Sequence, residues 1–285
     1  MAGDLHVDLS GKVCCVTGAN AGIGLQTARG LAQRGATVYL LCRNEGRGLA
    51  ARDELRKSTG NPNVHLQLVD LSSMASVRTF ADRFSEPVVH RLVHNAGVMV
   101  HRRTVTEEGL ELTWATNVFG PFLLSRCLQE RLARAEGARV VWVSSGGMYT
   151  QTLNLDDLGW QSRAYDGVQA YAQSKRAEVM LSERMASELA GTGVIVHAMH
   201  PGWADTNSVQ LALPRFHKVT RRILRTAEQG ADTVIWLCVC PRLEQETGRF
   251  WFDRALAPTH LMKRTQAGDA LGDKLYALCL QTTEA

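Results

Sequence analysis

The sequence predicts an α/β protein, a doubly wound and mainly parallel sheet with helices on both faces, as a single domain over residues 1–285. Three observations carry this. Short runs rich in Val and Leu are almost continuously apolar, the pattern of strands buried on both faces. Longer amphipathic stretches separate them, as crossover helices must between parallel strands. A glycine turn, Thr17-Gly18-Ala19-Asn20-Ala21-Gly22-Ile23-Gly24, joins the first strand to the first helix.

Strands are expected at 12–16, 37–42, 64–69, 91–94, 139–143 and 194–198. Helices are expected at 23–34, 45–58, 73–84, 107–135, 169–189 and 227–238. Gly35 marks a helix end and Ser73 is placed to cap a helix start. Two stretches, 146–168 and 207–226, break the alternation. Both follow strands, on the side where open α/β sheets take their ligands. The expected division is a cofactor half over about 1–135 and a catalytic and substrate half over about 136–285, with 207–226 as a lid.

Composition narrows the function classes. The 32 Lys+Arg against 28 Asp+Glu give a formal charge of +4, and 45% of residues are hydrophobic. That excludes a disordered chain. No basic stripe with interleaved aromatics is present, so nucleic acid is not an expected partner. No run reaches the ~18 apolar residues of a membrane helix, and 1–10 lacks the apolar core of a secretory signal. The seven cysteines, mostly inside apolar runs, read as buried thiols of a reducing compartment, hence a cytoplasmic protein. Neither Cys238-Val-Cys240 nor His65, His90 and His94 has the pattern of a ligand set, so no metal is expected.

The glycine turn is that of a Rossmann-type dinucleotide site. Gly18 permits the turn, Gly22 lets backbone approach a pyrophosphate, and Gly24 lets the helix pack close to its strand. The first turn of that helix, with Asn20 and Ile23 about it, offers free N–H groups and partial positive charge to phosphates. The second strand ends at Cys42-Arg43-Asn44 with no acid. Arg43 therefore suits the 2′-phosphate of NADP better than the 2′-hydroxyl of NAD. Asp70-Leu71, at the third strand end, is placed for the adenine, and the small residues of Asn95-Ala96-Gly97 leave room for the ribose.

Tyr171-Ala-Gln-Ser-Lys175 lies in a predicted helix, where i, i+4 spacing puts phenol and ammonium on one face. An ammonium beside a phenol favours the phenolate, which makes a tyrosine usable as a general acid or base. Ser144 and Ser145 end a buried strand at the same sheet edge. A serine there can hold a carbonyl oxygen while Tyr171 protonates it.

In order along nearly the whole chain, the glycine turn, Asp70, Asn95-Ala-Gly97, Asn117, the serine pair, Tyr171-x-x-x-Lys175 and Pro201-Gly202 resemble the short-chain dehydrogenase/reductase family. The resemblance implies catalytic roles for Asn117, Ser145, Tyr171 and Lys175. Asn117 would hold a water linking Lys175 to solvent, and Lys175 would also bond the nicotinamide ribose. Ser145, the second of the pair, would touch substrate, while Ser144 satisfies local backbone. Pro201 and Gly202 would pass the nicotinamide, and Thr206 would bond its carboxamide or the phosphates. The chain departs from the family in having His94 where Asn is usual. A form without an N-terminal anchoring extension is expected, and a homodimer or tetramer is a family expectation.

The lid holds Leu211, Leu213, Pro214, Phe216, Ile223 and Leu224. These suit a hydrophobic alcohol or carbonyl compound, such as a lipid aldehyde, retinoid or steroid, or serve only to pack the lid. Lys218, Arg221 and Arg222 leave peripheral membrane contact open. The expected activity is NADP(H)-dependent alcohol–carbonyl interconversion. The alternative is a non-catalytic NADP-binding sensor or scaffold, whose chemical residues would be free to vary.

Overall fold

A computed structural model describes residues 7–202, 225–266 and 268–284. Eight strands form one sheet in the order β3-β2-β1-β4-β5-β6-β7-β8. They are β1 (Val13–Thr17), β2 (Thr37–Cys42), β3 (Val64–Leu68), β4 (Arg91–His94), β5 (Arg139–Val143), β6 (Ile195–Met199), β7 (Arg249–Phe252) and β8 (Ala255–Leu256). The first seven are parallel, and β8 turns back antiparallel on β7. The strand order reverses between β1 and β4, which opens a crevice at the carboxyl ends of these strands.

The helices are α1 (Gly22–Ala32), α2 (Glu45–Thr59), α3 (Met74–Arg83), α4 (Leu112–Trp114), α5 (Gly120–Cys127), α6 (Gln129–Ala133), α7 (Gly167–Glu188), α8 (Ala227–Val239) and α9 (Asp269–Glu284). Two apolar layers sandwich the sheet. One packs Leu31, Leu55, Val234 and Leu237 of α1, α2 and α8 against Val16, Leu40, Val93 and Val141. The other packs Val77, Phe122, Leu181 and Leu275 of α3, α5, α7 and α9 against Leu92, Val140, Trp142 and Val196. Strand residues alternate between the two layers, so every second side chain serves each face. This explains why β1, β4, β5 and β6 read as continuous apolar runs.

Six strands fall within a residue or so of the sequence expectation, and β2, β4 and β5 coincide with it. The predicted helix over 107–135 is a chain of separate pieces. Gly109 sits at φ 80° in a turn closed by the Val105–Glu111 bridge, so helix begins only at Leu112. A π-helical turn, Ala115–Phe119, follows, and Leu128 (φ −97°, ψ 1°) separates α5 from α6. The elements β7, β8 and α9 were not expected. The stretch 146–168 holds a 3₁₀ turn, Gly146–Thr150. The proposed lid at 207–226 lies outside the described residues except Arg225 and Thr226.

At the end of the sheet opposite the crevice two buried arginines meet the last turn of α8. Arg139 Nη1 donates to the Leu237 carbonyl at 2.8 Å, and Arg91 Nε donates to that of Cys238. Positive charge at a helix C-terminus is favourable, and these carbonyls have no intrahelical donor.

Candidate active site

The glycine turn is built as its sequence requires. Gly18 (φ 63°) and Gly22 (φ 55°) occupy the left-handed region that disfavours side chains. A Cβ on Gly24 would lie 2.3 Å from Asn95 Nδ2 and 2.6 Å from the Gly18 carbonyl, so glycine is needed there for packing. Cys42, at the end of β2, underpins the turn. Its thiol accepts from the Ala19 and Asn20 amides, and burial pushes it up to about 11 despite them. Ile23 itself is a core side chain, leaving its N–H as the group on offer.

The start of α1 differs from those of α2, α3, α7 and α8. Asn44, Ser73, Asp166 and Thr226 each accept a backbone N–H at the heads of α2, α3, α7 and α8. Ala21, heading α1, supplies no such bond. The first-turn donors of α1 are therefore left for a ligand or solvent. With the open glycine turn below them, they fit a dinucleotide pyrophosphate.

Around this turn the other predicted cofactor residues take their places. Arg43 is exposed at the end of β2, while Asn44 is used as a cap. Asp70 Oδ1 accepts from Ser72 N (2.9 Å) and Ser72 Oγ (2.7 Å), so that oxygen shapes the turn into α3. Leu71 is buried, and its carbonyl lies 2.0 Å from where a Cβ of Gly120 would sit. Thr17 Oγ1 accepts from the Asn95 and Ala96 amides, and Asn95 Nδ2 donates to the Thr17 carbonyl at 2.9 Å. Asn95 thus braces β1 to β4. Gly202 (φ 76°) lies after Pro201 beyond β6, its amide donating to His200 Nδ1. Thr206 lies outside the described residues.

Beside Gly97 the chemical residues converge. A Cβ there would sit 3.1 Å from Lys175 Nζ and 3.4 Å from Asn117 Oδ1. Asn117 occupies the π-helical turn and is fully buried. Its Oδ1 accepts from Val98 N, and its Nδ2 donates to Val98 O and Ser174 Oγ. Such a turn re-aims a side chain by inserting one extra residue, a device frequent at functional sites. Tyr171, partly exposed, has its ring centroid 5.6 Å from Lys175 Nζ.

The two serines differ in their surroundings. Ser144 Oγ donates to the Lys175 carbonyl at 2.7 Å and is buried. Ser145 is partly exposed and accepts from Gly147 N. A Cβ on Gly147 would lie 3.6 Å from Ser145 Oγ and 3.9 Å from Ala172 Cβ, which sets Ser145 against the turn of α7 that carries Tyr171.

Sequence reasoning missed two neighbours. Glu178 Oε1 accepts from Lys175 Nζ at 2.7 Å, and Val143 O accepts from it at 3.0 Å. Glu178 shares the Lys175 face at i+3, a spacing visible in the sequence. His200 lies near Gly146 and stacks on Phe252 with centroids 4.3 Å apart. Burial pushes it down to about 4, so it is neutral near pH 7. His94, the departure from the family pattern, packs against Trp142 with the rings tilted 43° and bonds Ser125 Oγ at 2.6 Å. It is a core residue, and burial pushes it down to about 3.

The family model for short chain dehydrogenase matches residues 12–214. Bovine "Dehydrogenase/reductase SDR family member 12" is 44% identical over 96% of this chain and 87% of its own length. Mouse "Retinol dehydrogenase 12" is 38% identical over 87% of this chain and 79% of its own. Among solved structures, an uncharacterised protein of Mycobacterium paratuberculosis superposes with a TM-score of 0.80 at 29% identity, covering 98% of this chain and 96% of that one. A short chain dehydrogenase from Escherichia coli CFT073 complexed with NADPH gives 0.68 at 26%, covering 87% and 97%. No helix among the described residues is long and apolar enough to cross a membrane. Fold, ordered motifs and these matches agree: the chain belongs to the short-chain dehydrogenase/reductase family, as an NAD(P)-dependent oxidoreductase.

Proposed function

We propose that this protein interconverts a hydrophobic alcohol and its carbonyl with NADP(H), using Tyr171 as general acid and base. The observation that carries the reading is the meeting of Tyr171, Lys175 and Asn117 beside Gly97, in the same crevice as the uncapped start of α1. The cofactor, when bound, supplies or accepts hydride at its nicotinamide. The chain's own residues do the rest. Ser145 holds the substrate oxygen by a hydrogen bond. Tyr171 Oη gives that oxygen a proton in reduction and takes it back in oxidation. Lys175 supplies the positive charge beside the phenol and bonds the nicotinamide ribose. Asn117 keeps the π-helical turn in register with Val98 and Ser174, and through it the water relay to Lys175.

NADP is favoured over NAD because β2 ends in the exposed Arg43 with no acid at the strand end. Solved relatives bound to NADP or NADPH support the same choice. A retinoid-type substrate is supported by the relatives named retinol dehydrogenases. Tyr149 and Phe252, which pack on His200 beside Gly146, are partly exposed and offer apolar surface for it. A sensor or scaffold would not require Asn117, Ser145, Tyr171 and Lys175 together, and no observation favours it.

A panel of retinaldehyde, steroid ketones, lipid aldehydes and small polar ketones, followed by NADPH absorbance, tests the reading. Turnover is expected on the apolar members, and turnover confined to polar ketones would reject the substrate class. Cofactor choice has its own test. Replacing Arg43 by Glu removes a charge-assisted bond of roughly 1.5–3 kcal/mol and adds repulsion, so NADPH affinity should fall on the order of 10- to 100-fold. NADH affinity should hardly change, and equal losses for both cofactors would reject phosphate pairing by Arg43.

A further inference from the structure

The ammonium of Lys175 is held by a second residue that the family pattern does not call on. Lys175 and Glu178 form an ion pair at 2.7 Å with side chains only 4% and 3% exposed. Lysine carries three N–H donors. Glu178 Oε1 and the Val143 carbonyl take two of them, so one N–H remains for the crevice. A flexible four-carbon stem would otherwise let the ammonium wander. The second oxygen of Glu178 is buried without a hydrogen-bond partner among the described residues. Leaving a carboxylate oxygen so placed is costly. Beside it on α7, Val179 and Leu181 are in the core and Ser174 and Ser182 are buried but uncharged.

We propose that Glu178 is a positioning residue, a buried carboxylate that fixes the Lys175 ammonium in place and keeps it charged beside Tyr171. The assignment rests on the reading of Tyr171 and Lys175 given above. Burial, the largest influence, depresses Lys175, but the Glu178 charge, the Tyr171 phenol and the Glu178 hydrogen bond together outweigh it and the group is raised. Burial in turn raises Glu178, with Lys175 opposing. Other groups near the pair are neutral or engaged elsewhere. Asn117 faces it from the π-helical turn as an uncharged amide, and His94 on β4, in the same layer, is neutral. On α7, Arg176 bonds the Thr259 carbonyl, Arg184 pairs with Asp273 of α9, and Glu188 pairs with Arg126.

The test is a pair of measurements on the full chain and its Glu178→Gln variant, which keeps the shape and removes the charge. The first follows Lys175 Cε by NMR in protein with labelled lysine, the resonance being assigned by its loss in Lys175→Met. The Lys175 midpoint should fall by at least about one pH unit in Glu178→Gln, the usual size of losing an opposite charge at short range. Equal midpoints would overturn the assignment. If the variant does not fold, the wild-type midpoint decides. It should lie above the ~10.4 of a free lysine, and a lower value would overturn the assignment. The second measurement is the pH profile of kcat/KM, whose alkaline limb should move down with the Lys175 midpoint. A side chain that merely filled space would lower stability without moving either. Absence of turnover in both proteins with a shifted Lys175 midpoint would sink the Tyr171 mechanism and leave the Glu178 assignment standing.

Discussion

Replacing Tyr171 by Phe should lower turnover on the order of 10²- to 10⁴-fold, the contribution of a positioned general acid or base. The reason is local. Phe keeps the ring in its place on α7, so the packing of Ala172 and Ser174 and the Asn117–Ser174 bond are unaffected. What is lost is the hydroxyl proposed above to pass a proton to the substrate oxygen. Two of the Lys175 donors are committed to Glu178 and Val143, and the third is the one assigned above to the ribose. NADPH affinity, read by fluorescence titration, should stay within about threefold, since the hydroxyl gives the cofactor at most a single neutral bond of ~0.5–1.5 kcal/mol. Turnover within a factor of ten of wild type would remove Tyr171 from the chemistry. A parallel collapse of NADPH binding would instead assign it to cofactor retention.

The second large effect is on stability in acid. His94 and His197 are buried and neutral, pushed down by burial to about 3 and about 4. His197 Nδ1 accepts from Trp251 Nε1 at 3.2 Å, which a doubly protonated ring cannot do. Both folded values lie below the ~6.5 of an unfolded histidine. Between those limits the unfolded chain binds more protons, so stability rises with pH there. The contribution is complete above about 6.5 and is lost as pH falls toward the folded values. For each such ring, lowering the pH from 7.5 to 5 removes about 2 kcal/mol. Glu178 is shifted upward and acts in the opposite sense, so a variant comparison isolates the histidine effect. His94→Asn, which places the usual family residue, should be less stable than wild type at pH 7.5 because it vacates a buried ring site against Trp142. Its further loss on going to pH 5, measured by denaturant unfolding, should be smaller than that of wild type by about 2 kcal/mol. Parallel losses would mean that His94 does not titrate in this window.

The two effects draw on parts of the molecule that were unequally legible in the sequence. Central strands such as β4 and β5 could be read because burial on both faces leaves no polar alternation. The edge elements could not. The four-residue β7 follows a polar loop, and β8 is two exposed residues, so neither presents a period. In 107–135 the helical period runs on through Leu128, and the break there is set by tertiary packing of α5. Within the site, Gly18, Gly22, Gly24, Asn95 and the Tyr171–Lys175 spacing carried enough local chemistry to be recognised. Glu178 was overlooked because an acid three residues after a lysine is usually a solvated surface pair, and only the fold shows this one to be enclosed. Cys42 was read as a core thiol, whereas its place beneath the glycine turn depends on how β2 lies beside β1.

The bare head of α1 also ties the durability of the fold to metabolism. Amide groups that no side chain satisfies are met by water until a dinucleotide replaces it, and whatever binds only the native chain stabilises it by mass action. At a hundredfold excess over Kd that linkage is worth about 2.7 kcal/mol, a large share of a typical domain's margin. An enzyme built this way is more durable where its coenzyme is abundant and is cleared sooner where the coenzyme runs short.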